Sequence, residues 1–117
     1  MRKQVKLYAI DIEALLMAKK IVESDLEHLA SIQQLSLKCG LNRDKLKRGF
    51  KQLFGMPVEG YHRLLRMEEA KRLLKDTDKT VYEIAWLTGY ERSQSFSVAF
   101  KRVVGMRPGE WRVQAME

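Results

Sequence analysis

Apolar residues recur at three- and four-residue spacing through most of the chain, and the pattern is interrupted mainly at glycines, prolines and short polar stretches. Leu46, Phe50 and Leu53 fall at helical spacing, as do Phe96, Phe100 and Val103, so each trio is expected to face inward from an amphipathic helix. A longer run over residues 58–74 carries Tyr61, Leu64, Leu65, Ala70, Leu73 and Leu74 and predicts a helix roughly 25 Å long. Near the start, Ile12, Leu15, Leu16 and Lys19 with Val22 give a rougher stripe of the same period. No stretch alternates convincingly as a strand would. The pattern predicts an all-α fold of about seven helices.

Polar residues mark where these helices begin. Asp11 suits the N-cap of the first, because its carboxylate can accept from unpaired first-turn amides. Ser31 with Gln34, and Thr80 with Glu83, form capping boxes, each opening a short helix that ends at a glycine, Gly40 or Gly89. Asn42 caps the next helix, Gly55 stops it, and Pro57 and Pro108 are placed to open the helices that follow. Residues 76–79 are a polar break. Residues 1–10 are basic and then briefly apolar, which fits either a short arm or the tail of a linker.

Two of these stretches are copies. GLNRDKLKRGFKQLFGMPVEGY, residues 40–61, returns as GYERSQSFSVAFKRVVGMRPGEW, residues 89–111. Gly40 matches Gly89 at an offset of 49, after which the offset is 50, pairing Leu46 with Phe96, Phe50 with Phe100, Lys51 with Lys101 and Tyr61 with Trp111. The second copy thus holds one extra residue after its turn. A period near 50 indicates two copies of one supersecondary unit. The organisation expected is an arm or linker remnant over residues 1–10, a first subdomain over 11–56, a linking helix over 57–77 and a second subdomain over 78–117.

At 117 residues, with 45% hydrophobic and 32% charged residues, the chain can build a modest core. Its formal charge of +7 favours an anionic partner, either nucleic acid or an anionic membrane surface. A single cysteine, no apolar run near 18 residues and no signal-peptide pattern predict a soluble, cytoplasmic protein, and because each helix needs its apolar side for the core no membrane partner is expected. Enzymatic chemistry finds no constellation. Cys39 has no histidine nearby in sequence to activate it, His28 and His62 lack partners at metal-ligand spacing, and Glu68 and Glu69 sit among Arg66, Lys71 and Arg72 as ordinary ion-pair partners. The glycines mark turns and helix ends rather than a phosphate loop, so no cofactor or metal is expected.

In each copy a small residue, Ser36 or Ala85, precedes the turn glycine by four. A helix-turn-helix needs both: the small residue for close helix crossing, the glycine for a left-handed turn. With the apolar trios inward, Asp44, Lys47, Arg48 and Lys51 face outward on the first second-helix, and Gln94, Ser97, Val98 and Lys101 on the other. Arginine and glutamine reach base edges bidentately, serine contacts several bases, and valine meets a thymine methyl. Lys51 and Lys101, deeper along each helix, suit phosphates, and Asn42, Arg43, Lys45 and Arg92 join them as phosphate candidates.

Residues 31–112 resemble the DNA-binding region of the AraC/XylS family of bacterial transcription regulators, most specifically through IAWLTGYERSQSFSVAFKRVVGMRPGEWR, residues 84–112. The earlier copy also resembles regulators of siderophore uptake within that family. The resemblance implies two helix-turn-helix subdomains joined by a long central helix, with one recognition helix from each entering successive major-groove segments. Carried over by position, it implies base readers at Asp44, Lys47 and Arg48, and at Ser93, Gln94, Ser97 and Val98. It further implies transcription activation through RNA polymerase, and a sensory domain of the kind that often precedes this region in family members. Asp44 departs from the aromatic or neutral polar residue that sits more easily near phosphate, and Val98 stands where some members carry arginine. Gly49 costs its helix about 1 kcal/mol against alanine. The competing class is a helical protein-docking module without sequence-specific DNA binding; mutation of Lys47, Arg48, Gln94 and Lys101 discriminates the two.

Overall fold

A computed structural model describes residues 4–117, and among them lie seven helices and no strand: α1 (Ala9–Ser24), α2 (Ile32–Cys39), α3 (Arg43–Phe54), α4 (Val58–Asp76), α5 (Val81–Leu87), α6 (Ser93–Val104) and α7 (Pro108–Ala115). Residues 1–3 of the expected arm lie outside the described residues. The chain divides into two units, one through His62 and one from Arg63 onward.

The first unit packs α1, α2 and α3 together around Leu15, Leu35, Leu46 and Phe50, each fully buried. Burial of side chains of this size contributes about 1.5–3 kcal/mol apiece. Tyr61 packs against Phe50 with ring centroids 5.9 Å apart and the rings tilted, and its hydroxyl donates to Glu23. Burial first, then Glu23, pushes the Tyr61 phenol up to about 12. His62 is buried, and its Nε2 donates to the Asp25 carbonyl at 2.9 Å, tying α4 to the segment after α1.

The second unit gathers Met67, Ala70 and Leu74 of α4, Ile84 and Ala85 of α5, and Phe96 and Phe100 of α6. Trp111 of α7 lies on Phe100 at 6.2 Å, so the aromatic pair Phe50–Tyr61 returns 50 residues later as Phe100–Trp111. Arg112 donates to three carbonyls, those of Leu74 at 2.9 Å, Thr77 at 3.3 Å and Lys79 at 2.6 Å. These are groups that the end of α4 and the following break leave without helical partners.

Three expectations are corrected. Asp11 is not the N-cap of α1, which starts at Ala9 with Tyr8 as its cap residue. The Asp11 carboxylate sits in the first turn instead, where it accepts from the Tyr8 N–H at 2.9 Å and pairs with Lys45 of α3 at 3.0 Å. That backbone hydrogen bond, and after it Lys45, hold the carboxyl below its ordinary value. The buried line of α1 accordingly runs through Asp11, Leu15, Ala18 and Val22, leaving Ile12 and Leu16 exposed. Finally, Leu53 and Val103 do not point inward, being 38% and 41% exposed. In each last turn the inward position is four residues beyond the buried phenylalanine rather than three: Phe54 packs on Phe50 at 4.6 Å, and Val104 packs on the second core.

Candidate nucleic-acid interface

Both turns are built as helix-turn-helix turns. Gly40 and Gly89 have φ of +79° and +88°, a left-handed conformation that a β-carbon disfavours. Before the first turn, the Ser36 hydroxyl donates to the Leu41 carbonyl, so this small residue also satisfies a turn acceptor. Before the second, Ala85 is buried and its carbonyl accepts from the Tyr90 N–H at 2.9 Å. Arg66 holds that turn from α4, donating to the Thr88 carbonyl at 2.6 Å while its guanidinium lies 4.1 Å over the Tyr90 ring. Both capping boxes form, and the Thr80 backbone N–H leads the groups that lower the Glu83 carboxyl from its ordinary value.

On α3 the Asn42 side chain accepts from the Lys45 N–H at 2.8 Å, fixing the helix start. Asp44, Lys47, Arg48 and Lys51 are exposed along one face, with Arg43 exposed at its head. Asp44 and Arg48 form an i,i+4 ion pair at 3.2 Å, so the carboxylate steadies the guanidinium beside it. Lys45 is turned away from that face. Its ammonium lies between the buried Asp11 carboxylate and the Tyr8 ring, 5.6 Å from the ring centroid.

On α6 the candidates converge on an open groove of about 1030 Å³. Ser93, Gln94, Ser97 and Val98 line it, and Lys101 joins them from the next turn. Arg92 is exposed at the cap position without a side-chain capping bond. The groove also takes in Tyr82 from the first turn of α5, Arg102 from α6 and Arg107 from the head of α7, none of which the sequence reading selected. Arg102 lies four residues beyond Val98, so helical spacing alone would have found it; Tyr82 and Arg107 come from other helices and carried no such signal. Among the described residues no acidic one lines this groove.

A helix-turn-helix domain family matches residues 35–114. The chain is 43% identical over 67 residues to the HTH-type transcriptional activator RhaR of Klebsiella pneumoniae, covering 57% of this chain and 24% of RhaR. It is 30% identical over 92 residues to the transcriptional activator AarP of Providencia stuartii, covering 79% of this chain and 68% of AarP. The chain therefore spans about a quarter of the length of RhaR and about two thirds of AarP. The fold superposes on an AraC-type DNA-binding-domain regulator from Chromobacterium violaceum with a TM-score of 0.82 at 27% identity, covering 94% of this chain and 98% of that one. Among the described residues no helix is long and apolar enough to cross a membrane.

Proposed function

The chain belongs to the AraC-type helix-turn-helix family, and on that premise we propose that it is the sequence-specific double-stranded DNA-binding domain of a transcription regulator. The observation that carries this reading is the α6 groove. Its readers are uncharged, Ser93, Gln94 and Ser97 able to hydrogen-bond and Val98 apolar; cations accompany them, and among the described residues no carboxylate lines the groove to repel phosphate. Ser93, Gln94, Ser97 and Val98 read bases from α6, and Asp44, Lys47 and Arg48 read them from α3. Lys51, Lys101, Arg43 and Arg92 hold phosphates, with the Asn42 amide beside them; Lys45 serves that role only by leaving Asp11. The two reading faces differ in chemistry, so the bound site is asymmetric. Residues 11–56 and 78–117 act as the two reading subdomains, with 57–77 linking them.

The whole protein's work follows the same reading: a cytoplasmic, nucleoid-bound activator that contacts RNA polymerase, as the activator names of RhaR and AarP suggest. A sensory region elsewhere in the regulator sets its occupancy. The test is selection of bound duplex from a random pool. An asymmetric consensus, bound far more tightly than its scrambled version, is the expected result; no enrichment overturns the proposal. One observation favours the docking alternative: Trp86 is 69% exposed on α5 next to Tyr82. Loss of a protein complex without loss of DNA affinity, on mutating Lys47, Arg48, Gln94 and Lys101, would establish it.

A further inference from the structure

The segment before α1 is strapped along α3. Gln52 closes two hydrogen bonds with the backbone of Val5, accepting from its N–H at 2.8 Å and donating to its carbonyl at 2.9 Å. One helical turn toward the head of α3, Gly49 leaves room for Leu7: a β-carbon there would meet Leu7 Cδ2 at 3.2 Å and Leu15 Cδ1 at 3.1 Å. A further turn on, Tyr8 lies against Lys45. The strap thus runs antiparallel to α3 over positions 52, 49 and 45. Val5 and Leu7 are half-buried, while Gln4 before them and Lys6 between them are exposed, as alternation in an extended segment requires. The Lys6 ammonium lies 5.5 Å from the Tyr8 ring centroid, and among the described residues no carboxylate pairs with it.

At 3.6 residues per turn, positions 45, 49 and 52 lie roughly 110° round α3 from the face of Asp44, Lys47, Arg48 and Lys51. A helix about 10–12 Å across nearly fills a major groove about 12 Å wide, so a helix that reads bases on one face has its flank at the phosphate wall. We propose that residues 4–8 form a further DNA-binding element, a strap that carries Lys6 to the sugar-phosphate wall beside α3. This rests on the reading of the chain as a DNA-binding domain. Lys45, neutralised by Asp11, anchors the strap through Tyr8; Lys6, which no carboxylate among the described residues pairs with, meets the phosphate.

The test measures binding of the full chain to its selected duplex and to a scrambled one between 50 and 200 mM salt, for Lys6→Ala, Lys6→Arg, Gln52→Leu and Lys6→Ala in the Gln52→Leu background. One phosphate contact contributes a slope of about 0.9, so Lys6→Ala should shrink the loss of affinity across this fourfold salt range by about threefold on both duplexes. Lys6→Arg should keep the unmodified slope. Gln52→Leu frees the strap, and in that background Lys6→Ala should change the slope no further. A Lys6→Ala slope equal to that of the unmodified chain overturns the strap alone. So does the same drop in both backgrounds, since a loose cationic tail would give it. An unmodified chain that binds neither duplex overturns the strap and the DNA-binding reading together.

Discussion

α3 and α6 occupy corresponding places in two copies of one motif, yet they present different chemistry. Their inward positions agree closely, with Leu46 and Phe50 answering to Phe96 and Phe100, all fully buried. Outward, α3 shows four charged residues, Asp44, Lys47, Arg48 and Lys51, where α6 shows Gln94, Ser97 and Val98 before its first cation, Lys101. The flanks differ as well: Gly49, beneath the strap, answers to Ala99, which packs at the edge of the second core. The core fixes what the two copies must share. The solvent-facing positions are released from that requirement, and there one copy took charged groups, among them one ion pair, and the other mostly uncharged ones.

The comparison is broken most readily at the reading faces. Arg48→Ala should cost about 1–3 kcal/mol on the selected duplex and relax choice at one base position. Lys101→Ala should weaken selected and scrambled duplexes alike and lower the salt slope by about one unit. Titration of both variants on both duplexes distinguishes them; an equal loss on both duplexes for Arg48→Ala makes it a phosphate anchor and removes α3 from base reading. Next in size come the turns. Gly40→Val and Gly89→Val should each cost about 1–2 kcal/mol of stability through left-handed strain, seen as a lower melting temperature. An unchanged melt for either variant would show that its turn relaxes by another route.

The flanks give a smaller and more discriminating contrast. Ala99→Gly should destabilise by about 1 kcal/mol, the ordinary helix cost of glycine. Gly49→Ala should not return that amount, because the added methyl presses on Leu7 and Leu15. A full gain of about 1 kcal/mol in a denaturant melt would mean that the strap yields freely. The last prediction concerns acid. Asp11 and Glu83 have folded-state values below the ordinary 3.8 and 4.5, so each contributes stability above those values that is lost as pH falls through the lowered ones. Melts taken from pH 6 to pH 2 should show a shallower acid loss for Asp11→Asn and for Glu83→Gln than for the unmodified chain. An unaltered acid slope would show that the two carboxylates contribute equally to folded and unfolded states.

What was legible in the sequence was local. Ser31 with Gln34 and Thr80 with Glu83 announce helix starts through contacts spanning three residues, and the bounds of α6 follow directly from spacing. What was not legible depends on residues far apart in the chain. Asp11 looks like a cap until Lys45, 34 positions on, draws its carboxylate inward. Leu53 and Phe54 are both large and apolar, and only the position of Phe50's neighbours decides that Phe54 turns in. Of the candidate site, the α6 face was readable from helical period, whereas Tyr82 and Arg107 reach the groove from other helices. Gly49 looked like a cost within its helix because the strap that needs it begins more than 40 residues earlier.

The three carbonyl bonds of Arg112 also bear on the order in which a nascent chain can settle. Domains fold as units during synthesis, those nearer the N-terminus first. The first unit has its buried side chains in hand once residue 62 has left the ribosome. The second does not, because the end of α4 and the break after it are closed by a guanidinium made 33 to 38 residues later. Until residue 112 emerges, those carbonyls rely on water, and α5 starts from an unfastened loop. The unit that carries the α6 groove is therefore, of the two, the one that acquires its final form later.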